Sequence, residues 1–198
     1  MTFRFTILGC GSSMGVPKPD GDWGNCNPDE VKNYRTRCSA ALSNNHKTIL
    51  IDTSPDLRSQ LLKQKIKNIT DVIYSHPHAD QTHGINDLRV FYLNNKKKIN
   101  IYSDRMTGLY LQKNFSYCFK KTKDYPSTLK LNYIKNKIFF NKKNKKISIE
   151  CIPVKHGLIK CLSFIINKKY AYASDVSFIY KKDLNKFKNL NYFVVDCL

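Results

Sequence analysis

The chain has 198 residues, of which 41% are hydrophobic and 12% aromatic, a composition that predicts one globular domain over residues 1–198. No segment approaches the ~20 consecutive apolar residues that a membrane-spanning helix needs, so a helical membrane protein is excluded. The 34 basic residues outnumber the 15 acidic ones and give a net charge of +19, which leaves nucleic acid to be considered as a partner.

The positive charge is a weak indication of nucleic-acid binding. Only six of the basic residues are arginine, and the lysines occur with many asparagines and isoleucines. These three residue types share A/T-rich codons, so nucleotide composition explains the bias without a nucleic-acid partner. Nucleic-acid binding therefore stays open but is not favoured.

The N-terminus and the cysteines bear on the compartment. Residues 1–8 alternate like a strand and lack the basic start and long apolar core of a signal peptide. The seven cysteines are odd in number and scattered, which is typical of free thiols in a reducing environment. We therefore predict a cytoplasmic protein that does not associate with a membrane.

The first part of the chain reads as four strands and one helix. Apolar alternation and turn signals predict strands near residues 3–8, 35–42, 48–52 and 70–74, and a helix over residues 55–63. A glycine-containing turn over residues 9–17 and a loop over residues 18–33 lie between the first two strands.

The fourth strand leads directly into the sequence SHPHADQTHG at residues 75–84. Three of the five histidines and one aspartate fall within eight residues of this stretch. Alternate residues of an extended chain point to the same side, so His76 and His78 can reach one cation. Asp80 lies at the following turn, where its carboxylate can bind a second, harder ion.

The second part of the chain repeats the alternation of helices and strands. We predict helices over residues 87–93 and 104–114, the second capped by Asp104, one hairpin within residues 116–146, strands over residues 147–154, 161–166, 170–173 and 191–196, and a helix over residues 176–188. Two of these strands lead to polar residues, His156 and Asp175. On the residues alone, His156 is equally a loop histidine and Asp175 a helix cap.

The motif resembles the metal-binding signature of the metallo-β-lactamase superfamily. Its flanks, LIDTSPDLR at residues 50–58 and HGINDLR at residues 83–89, are similar to the branch that contains the cyclic-phosphate phosphodiesterase of phosphonate breakdown. The resemblance covers nearly the whole chain and implies an α/β fold of the αββα sandwich type. The family's final histidine ligand follows a further strand beyond Leu198, so the resemblance implies a C-terminally incomplete domain.

The resemblance also implies a set of metal ligands. His76, His78 and His156 would bind the first metal, Asp175 would bridge two metals, and Asp80 would belong to the second, which makes both aspartates catalytic positions. Three imidazoles with one open position are a catalytic zinc arrangement, in which the pKa of bound water falls to ~7.

One departure from the family pattern weakens the second site. Gln81 stands where the family has a histidine, and its amide is a poorer ligand than imidazole. We therefore expect one tight zinc, with a second divalent metal weak or absent and manganese as an alternative. Asp52, which the residues alone equally suit to a helix entry, and His83 are implied to support the metal ligands.

The implied activity is hydrolysis of a small cyclic phosphate or phosphodiester through a metal-activated water. One alternative is a truncated or non-catalytic metal-binding remnant, which Gln81 favours. Another is an RNA-processing hydrolase of the same superfamily, which the high isoelectric point favours. Substrate-binding residues are not predicted. An apolar last strand without a covering segment further predicts self-association, as in a homodimer.

Overall fold

The structure is a computed structural model that describes residues 3–44, 47–142 and 145–196, without the side chains of residues 141, 142, 145 and 146. Contacts group residues 2–132 into one compact unit, the N-terminal unit, and residues 133–198 into another, the C-terminal unit. The single domain expected over residues 1–198 stays a prediction. The longest described helix has ten residues, and none of the described helices is long and apolar enough to cross a membrane.

The N-terminal unit is built on a six-stranded sheet in the order β1-β2-β3-β4-β5-β6. Its strands are β1 (Arg4–Gly9), β2 (Ser39–Asn44), β3 (Lys47–Ile51), β4 (Asp71–Ile73), β5 (Ile99–Ser103) and β6 (Leu129–Tyr133). Strands β1 to β3 pair antiparallel, whereas β3, β4 and β5 run parallel. The carboxyl ends of the three parallel strands therefore meet at one edge, where Asp52 and Ser75 follow β3 and β4.

Five short helices cover part of this sheet. They are α1 (Leu57–Lys63), α2 (Ala79–Thr82), α3 (Arg89–Asn95), α4 (Arg105–Asn114) and α5 (Ser116–Phe119), with 3₁₀ helices at Val31–Asn33 and Ile85–Leu88. The predicted cap of α4 is confirmed, because Asp104 accepts a hydrogen bond from the Thr107 amide at 2.8 Å. Apolar side chains of the helices and strands form one buried cluster that includes Leu57, Leu61, Val72, Ile101 and Leu111. Each such burial stabilises the fold by ~1.5–3 kcal/mol.

The C-terminal unit contains a five-stranded sheet in the order β11-β10-β9-β8-β7. Its strands are β7 (Lys137–Lys142), β8 (Lys145–His156), β9 (Ile159–Ile166), β10 (Tyr170–Ala173) and β11 (Tyr192–Val195). Strands β7 to β10 pair antiparallel, and β11 joins β10 in parallel. One face packs Ile152, Ile165 and Ala171 with Phe187 and Leu190. The tip of the lysine-rich hairpin, residues 143 and 144, lies outside the described residues.

The prediction of a helix over residues 176–188 is wrong for most of that segment. The segment contains only a 3₁₀ helix at Lys181–Phe187. The Lys155 amide donates to the Phe178 carbonyl at 2.9 Å, and the Ser177 amide donates to the Lys155 carbonyl at 2.7 Å. These bonds hold residues 177 and 178 extended beside β8, so the predicted helix cannot begin there.

Candidate metal centre

The first two predicted metal ligands follow β4 and their imidazoles converge. His76 is completely buried and His78 is exposed. The His76 Nε2 and His78 Nδ1 atoms are 3.0 Å apart, and the ring centroids are 4.6 Å apart with the planes at 75°. Zinc–nitrogen distances of ~2.0–2.1 Å in a tetrahedral site place two ligand nitrogens ~3.3 Å apart, so this pair fits one zinc ion after a small adjustment.

A hydrogen-bond chain fixes which nitrogen of His76 faces the site. The Ser75 hydroxyl donates to Asp52 Oδ2 at 2.8 Å, and the Ser75 amide donates to Asp52 Oδ1 at 2.7 Å. The His76 Nδ1 atom lies 2.9 Å from the same Ser75 oxygen. Because the Ser75 proton goes to Asp52, Nδ1 must be the protonated nitrogen of His76. The lone pair of Nε2 then accepts a hydrogen bond from His78 Nδ1, and a metal ion would take the place of that proton between the two nitrogens.

The backbone of Asp52 is what lets its carboxylate reach Ser75. Asp52 is completely buried and has a φ of +61°, in the left-handed region that few residues other than glycine adopt. Its amide donates to the Ile73 carbonyl at 2.9 Å, and its carbonyl accepts from the Ser39 hydroxyl at 3.1 Å. Asp56, not Asp52, occupies the position before the first residue of α1. Asp52 thus has the contacts that a residue orienting His76 needs.

Asp80 and Gln81 lie at the start of the short helix α2. Asp80 is half-buried and Gln81 is completely buried. The Gln81 Nε2 atom donates to Asp80 Oδ2 at 3.1 Å. The Gln81 carbonyl also accepts from the Thr53 amide at 2.8 Å, which ties α2 to the segment after β3. The Gln81 side chain therefore acts here as a hydrogen-bond donor to Asp80.

His83 lies at the other end of α2 and takes a different environment. The Thr82 hydroxyl donates to the His78 carbonyl at 2.8 Å and lies 3.1 Å from His83 Nδ1. The exposed His83 ring packs edge-on against Phe115, with the centroids 5.4 Å apart. His83 thus contacts the backbone of His78 through Thr82, and the role of supporting a ligand stays a prediction.

An ion pair near this region was not apparent in the sequence. Arg37 donates to both carboxylate oxygens of Asp56, at 2.9 and 2.7 Å, and its amide donates to Asp56 at 2.9 Å. The hydrogen bond from Arg37 holds the pKa of Asp56 below its usual value. The pKa of Arg37 is raised by Asp56 first and, to a smaller extent, by the charge of Asp80. Nothing in residues 35–37 except their charge could have indicated this pairing.

The other two predicted ligands lie in the C-terminal unit, at the ends of β8 and β10. The His156 Nε2 and Asp175 Oδ1 atoms are 3.7 Å apart, and the two side chains are 25% and 14% exposed. Gly157 has a φ of +55°, and its amide donates to the Ser177 hydroxyl at 3.1 Å. The ends of β8 and β10 therefore place an imidazole and a carboxylate side by side. The sequence indicated that each residue follows a strand but not that the two side chains meet.

Two kinds of comparison identify what the chain is similar to. The sequence profile of the Beta-lactamase superfamily domain matches residues 47–198. A solved diphosphatase of the PhnP family is 26% identical, with a TM-score of 0.83 over 97% of this chain and 73% of that chain. Zinc-bound PqqB from Methylobacterium extorquens is 16% identical, with a TM-score of 0.71 over 98% of this chain and 72% of that chain.

Two further relatives differ from these in their described activities. The short form of human tRNase Z is 16% identical, with a TM-score of 0.67 over 97% of this chain and 76% of that chain. The curated octanoyltransferase of Porphyromonas gingivalis is 28% identical over 98% of this chain. The chain spans only 39% of the length of that octanoyltransferase. Acyl transfer is therefore named only for that longer protein and is not assigned to this chain.

Proposed function

Because the chain belongs to the beta-lactamase superfamily and has the metallo-β-lactamase fold, we propose that it is a metal-dependent phosphodiesterase. Both the family and the α/β fold class were predicted correctly from the motif at residues 75–84 and its flanks. The proposed substrate is a small cyclic phosphate or phosphodiester, and the proposed reaction is its hydrolysis. The likeness to a PhnP-family diphosphatase supports chemistry at phosphorus.

The observation that carries the proposal is the oriented pair of His76 and His78. Their facing nitrogens are 3.0 Å apart, and the Asp52–Ser75 chain leaves Nε2 of His76 unprotonated. Both ring nitrogens of the buried His76 thus have defined partners, Ser75 at Nδ1 and His78 at Nε2. An imidazole that is oriented by a hydrogen bond to its other ring nitrogen is typical of a metal ligand.

We propose that His156 joins His76 and His78 as ligands of one tightly held zinc, on the strength of the sequence resemblance. Asp175 is the proposed ligand shared by that zinc and a second ion, Asp80 is a proposed ligand of the second ion, and both are the proposed catalytic carboxylates. When bound, the metal supplies Lewis acidity that activates water and neutralises the charge of the phosphate. Asp80, held by the Gln81 amide at 3.1 Å, offers a carboxylate oxygen to a proton of the attacking water.

The hydrogen bond between Gln81 and Asp80 supports unequal affinities for the two ions. The Gln81 side chain presents its nitrogen to Asp80, and a protonated amide nitrogen is not a metal ligand. We expect dialysed protein to retain about one equivalent of zinc, with any second zinc or manganese ion lost. Two tightly bound equivalents in elemental analysis would contradict this role of Gln81.

The proposed activity is tested with bis(p-nitrophenyl) phosphate as substrate. Zinc-loaded protein should hydrolyse it, a chelator should stop the reaction, and His156→Ala should lower both the zinc content and the turnover. Lys160→Ala, an exposed substitution on the neighbouring strand, is the control. If protein loaded with zinc or manganese hydrolyses no phosphodiester, the non-catalytic alternative replaces the proposal.

The RNA-processing alternative has less support. The likeness to tRNase Z at 16% identity shows the fold alone. If the +19 charge reflects nucleotide composition, generic RNA should bind weakly, without sequence preference, and with a strong dependence on salt. A complex that survives physiological salt and discriminates among RNAs would make an RNA the preferred substrate.

A further inference from the structure

Three exposed polar residues after α2 form a row. His83, Asn86 and Arg89 are spaced by three residues, in and beside the 3₁₀ helix Ile85–Leu88. His83 follows the last residue of α2, Asn86 lies in the 3₁₀ helix and Arg89 begins α3, and the contacts below show that all three meet aromatic side chains. The row begins five residues after His78, which corresponds to ~7–8 Å along a helical segment.

Each residue of the row contacts an aromatic side chain from the segment around α5. His83 packs edge-on against Phe115 at 5.4 Å, Asn86 Oδ1 accepts a hydrogen bond from the Tyr117 hydroxyl, and the Arg89 guanidinium lies over the Tyr125 ring at 4.8 Å from its centroid. We call these six residues the aromatic row: His83, Asn86, Arg89, Phe115, Tyr117 and Tyr125. The three contacts differ in kind, but each joins a polar residue of the row to an aromatic ring.

The two tyrosines of the row, Tyr117 and Tyr125, are held by contacts but are not buried. Tyr117 is 52% exposed and Tyr125 is 53% exposed, whereas Phe115 is only 7% exposed. The Tyr125 backbone is fixed by a reciprocal pair, since its amide donates to the Thr122 hydroxyl at 3.1 Å and its carbonyl accepts from the Thr122 amide at 2.8 Å. Rings that are already ordered can contact a ligand with little loss of conformational entropy.

We propose that the aromatic row binds a nucleobase of the substrate, so that the proposed phosphodiesterase acts on nucleotide-type phosphoesters. This inference rests on the proposed function, which places the phosphate at His76 and His78. Tyr117 and Tyr125 are each about half exposed and supply aromatic rings on which a planar base can stack, because every base has a π face. Arg89 adds a planar cation beside the stack, which attracts both the base and an adjacent phosphate.

The test compares two ligands that differ by the base. Adenosine 5′-monophosphate and ribose 5-phosphate are titrated by calorimetry into the full chain, with turnover playing no part in the readout. Adenosine 5′-monophosphate should bind roughly 5- to 100-fold more tightly than ribose 5-phosphate. Tyr117→Ala and Tyr125→Ala should each reduce this preference severalfold and leave the ribose 5-phosphate affinity unchanged.

Matched variants separate stacking from other effects. Tyr125→Phe keeps the ring and should keep the preference. Tyr192→Ala should have no effect, although Tyr192 is also an exposed tyrosine with a ring partner, stacked on Tyr170 at 6.1 Å. Thermal denaturation checks that each variant folds. If one tyrosine variant fails to fold, Arg89→Met supplies the second measurement and should also lower the preference.

The outcomes for the two proposals are distinct. Equal affinities for the two ligands, or equal losses in Tyr125→Ala and Tyr192→Ala, would overturn the aromatic row as a base-binding site even in an active hydrolase. A failure to hydrolyse any phosphodiester, combined with a base preference that Tyr125→Ala removes, would contradict the phosphodiesterase and leave the base-binding site supported.

Discussion

The two regions that carry the predicted ligands are supported in different ways. At residues 75–84, His76 is completely buried and its ring is tied through Ser75 to the buried Asp52. At the end of β8, the His156 side chain is 25% exposed, and the adjoining turn leaves Leu158 fully exposed. The first region is fixed by side-chain hydrogen bonds in the interior, whereas the second depends mainly on backbone pairing of a hairpin.

This difference indicates where substitutions should matter most. A buried ligand with a buried partner has no room to readjust, so a change in either one is transmitted to the site. An exposed hairpin end can relax into solvent, and losses there should be smaller unless a ligand atom itself is removed. The predictions below test this contrast, from the largest expected effect to the smallest.

The largest effect is expected within the motif at residues 75–84. His78→Ala removes a ligand nitrogen and should reduce zinc affinity by more than ~100-fold, beyond the range of ~10–100-fold that is typical of residues that only support ligands. His83→Ala should cost less than ~10-fold, because His83 packs on Phe115 and contacts His78 only through Thr82. Competition titrations with a zinc chelator measure both. Equal losses would refute the ranking.

The contrast in packing is tested by two glycines. A Cβ on Gly84 would lie 2.0 Å from the Ser54 carbonyl oxygen, so Gly84→Ala should lower the free energy of unfolding by ~3 kcal/mol or more. A Cβ on Gly157 would meet nothing within 4 Å, and only its φ of +55° opposes alanine. Gly157→Ala should therefore cost only ~1 kcal/mol.

Urea denaturation of metal-free protein measures both glycine variants. The metal must be absent, because any bound ion would add its own binding energy to the apparent stability. Equal losses in the two variants would show that the region at residues 75–84 can move away from Ser54, and the contrast between the two regions would fail.

The orientation of His76 is tested by Asp52→Asn. Asparagine tolerates the left-handed backbone at residue 52, so the fold should be retained. Its amide nitrogen cannot accept the hydrogen bond from the Ser75 hydroxyl, so the protonated nitrogen of His76 is no longer fixed. We expect zinc affinity to fall ~10–100-fold in protein that is still folded. An Asp52→Asn protein with unchanged zinc affinity would remove Asp52 from the site.

The smallest effect concerns pH. Arg37 lowers the pKa of Asp56, so the ionised pair stabilises the fold above the ordinary aspartate pKa of ~3.9, and this contribution is lost as the pH falls through the lowered value. Arg37→Met should cost ~1 kcal/mol at pH 7, and its effect should vanish once the pH lies below the lowered pKa of Asp56.

Lys137→Met is the matched control for Arg37→Met in the C-terminal unit. Lys137 lies 3.1 Å from Glu150 but is 42% exposed, so its pair with Glu150 should contribute less than ~0.5 kcal/mol. Acid unfolding curves of the two variants and the unaltered protein measure the difference. A pH-independent loss in Arg37→Met would mean that packing, not charge, explains its effect.

The sequence predicted the strands, the cap of α4 and the pairing potential of His76 and His78, because each depends on local spacing. It did not predict the 3₁₀ helix at Lys181–Phe187 in place of a longer helix, since the bonds to Lys155 that prevent the helix come from a distant strand. The hairpin predicted within residues 116–146 is wrong for the same reason: β6 and β7 both lie there, but β6 pairs beside β5 and β7 pairs with β8, and these pairings have no strong local pattern.

The contacts around the proposed ligands were harder to predict than the proposed ligands themselves. Ser75 is an ordinary residue before a histidine, and its role depends on the left-handed backbone of Asp52. The spacing of three residues from His83 to Asn86, and again from Asn86 to Arg89, was visible in the sequence. Its aromatic partners lie about thirty residues away, as the contact between Tyr117 and Asn86 shows, and only the packing of the helices brings them together.

The short sequence distance between Asp52 and Ser75 has a consequence for folding. The hydrogen bonds that orient His76 close a loop of only 23 residues, across the adjacent parallel strands β3 and β4. The entropy cost of closing a loop rises with the logarithm of its length, so this closure costs less entropy than one that spans a larger part of the chain. During synthesis, the Asp52–Ser75 contact can therefore form before the segment that carries His156 has left the ribosome. The orientation of the first ligand is then set by the first half of the chain and does not wait for the metal.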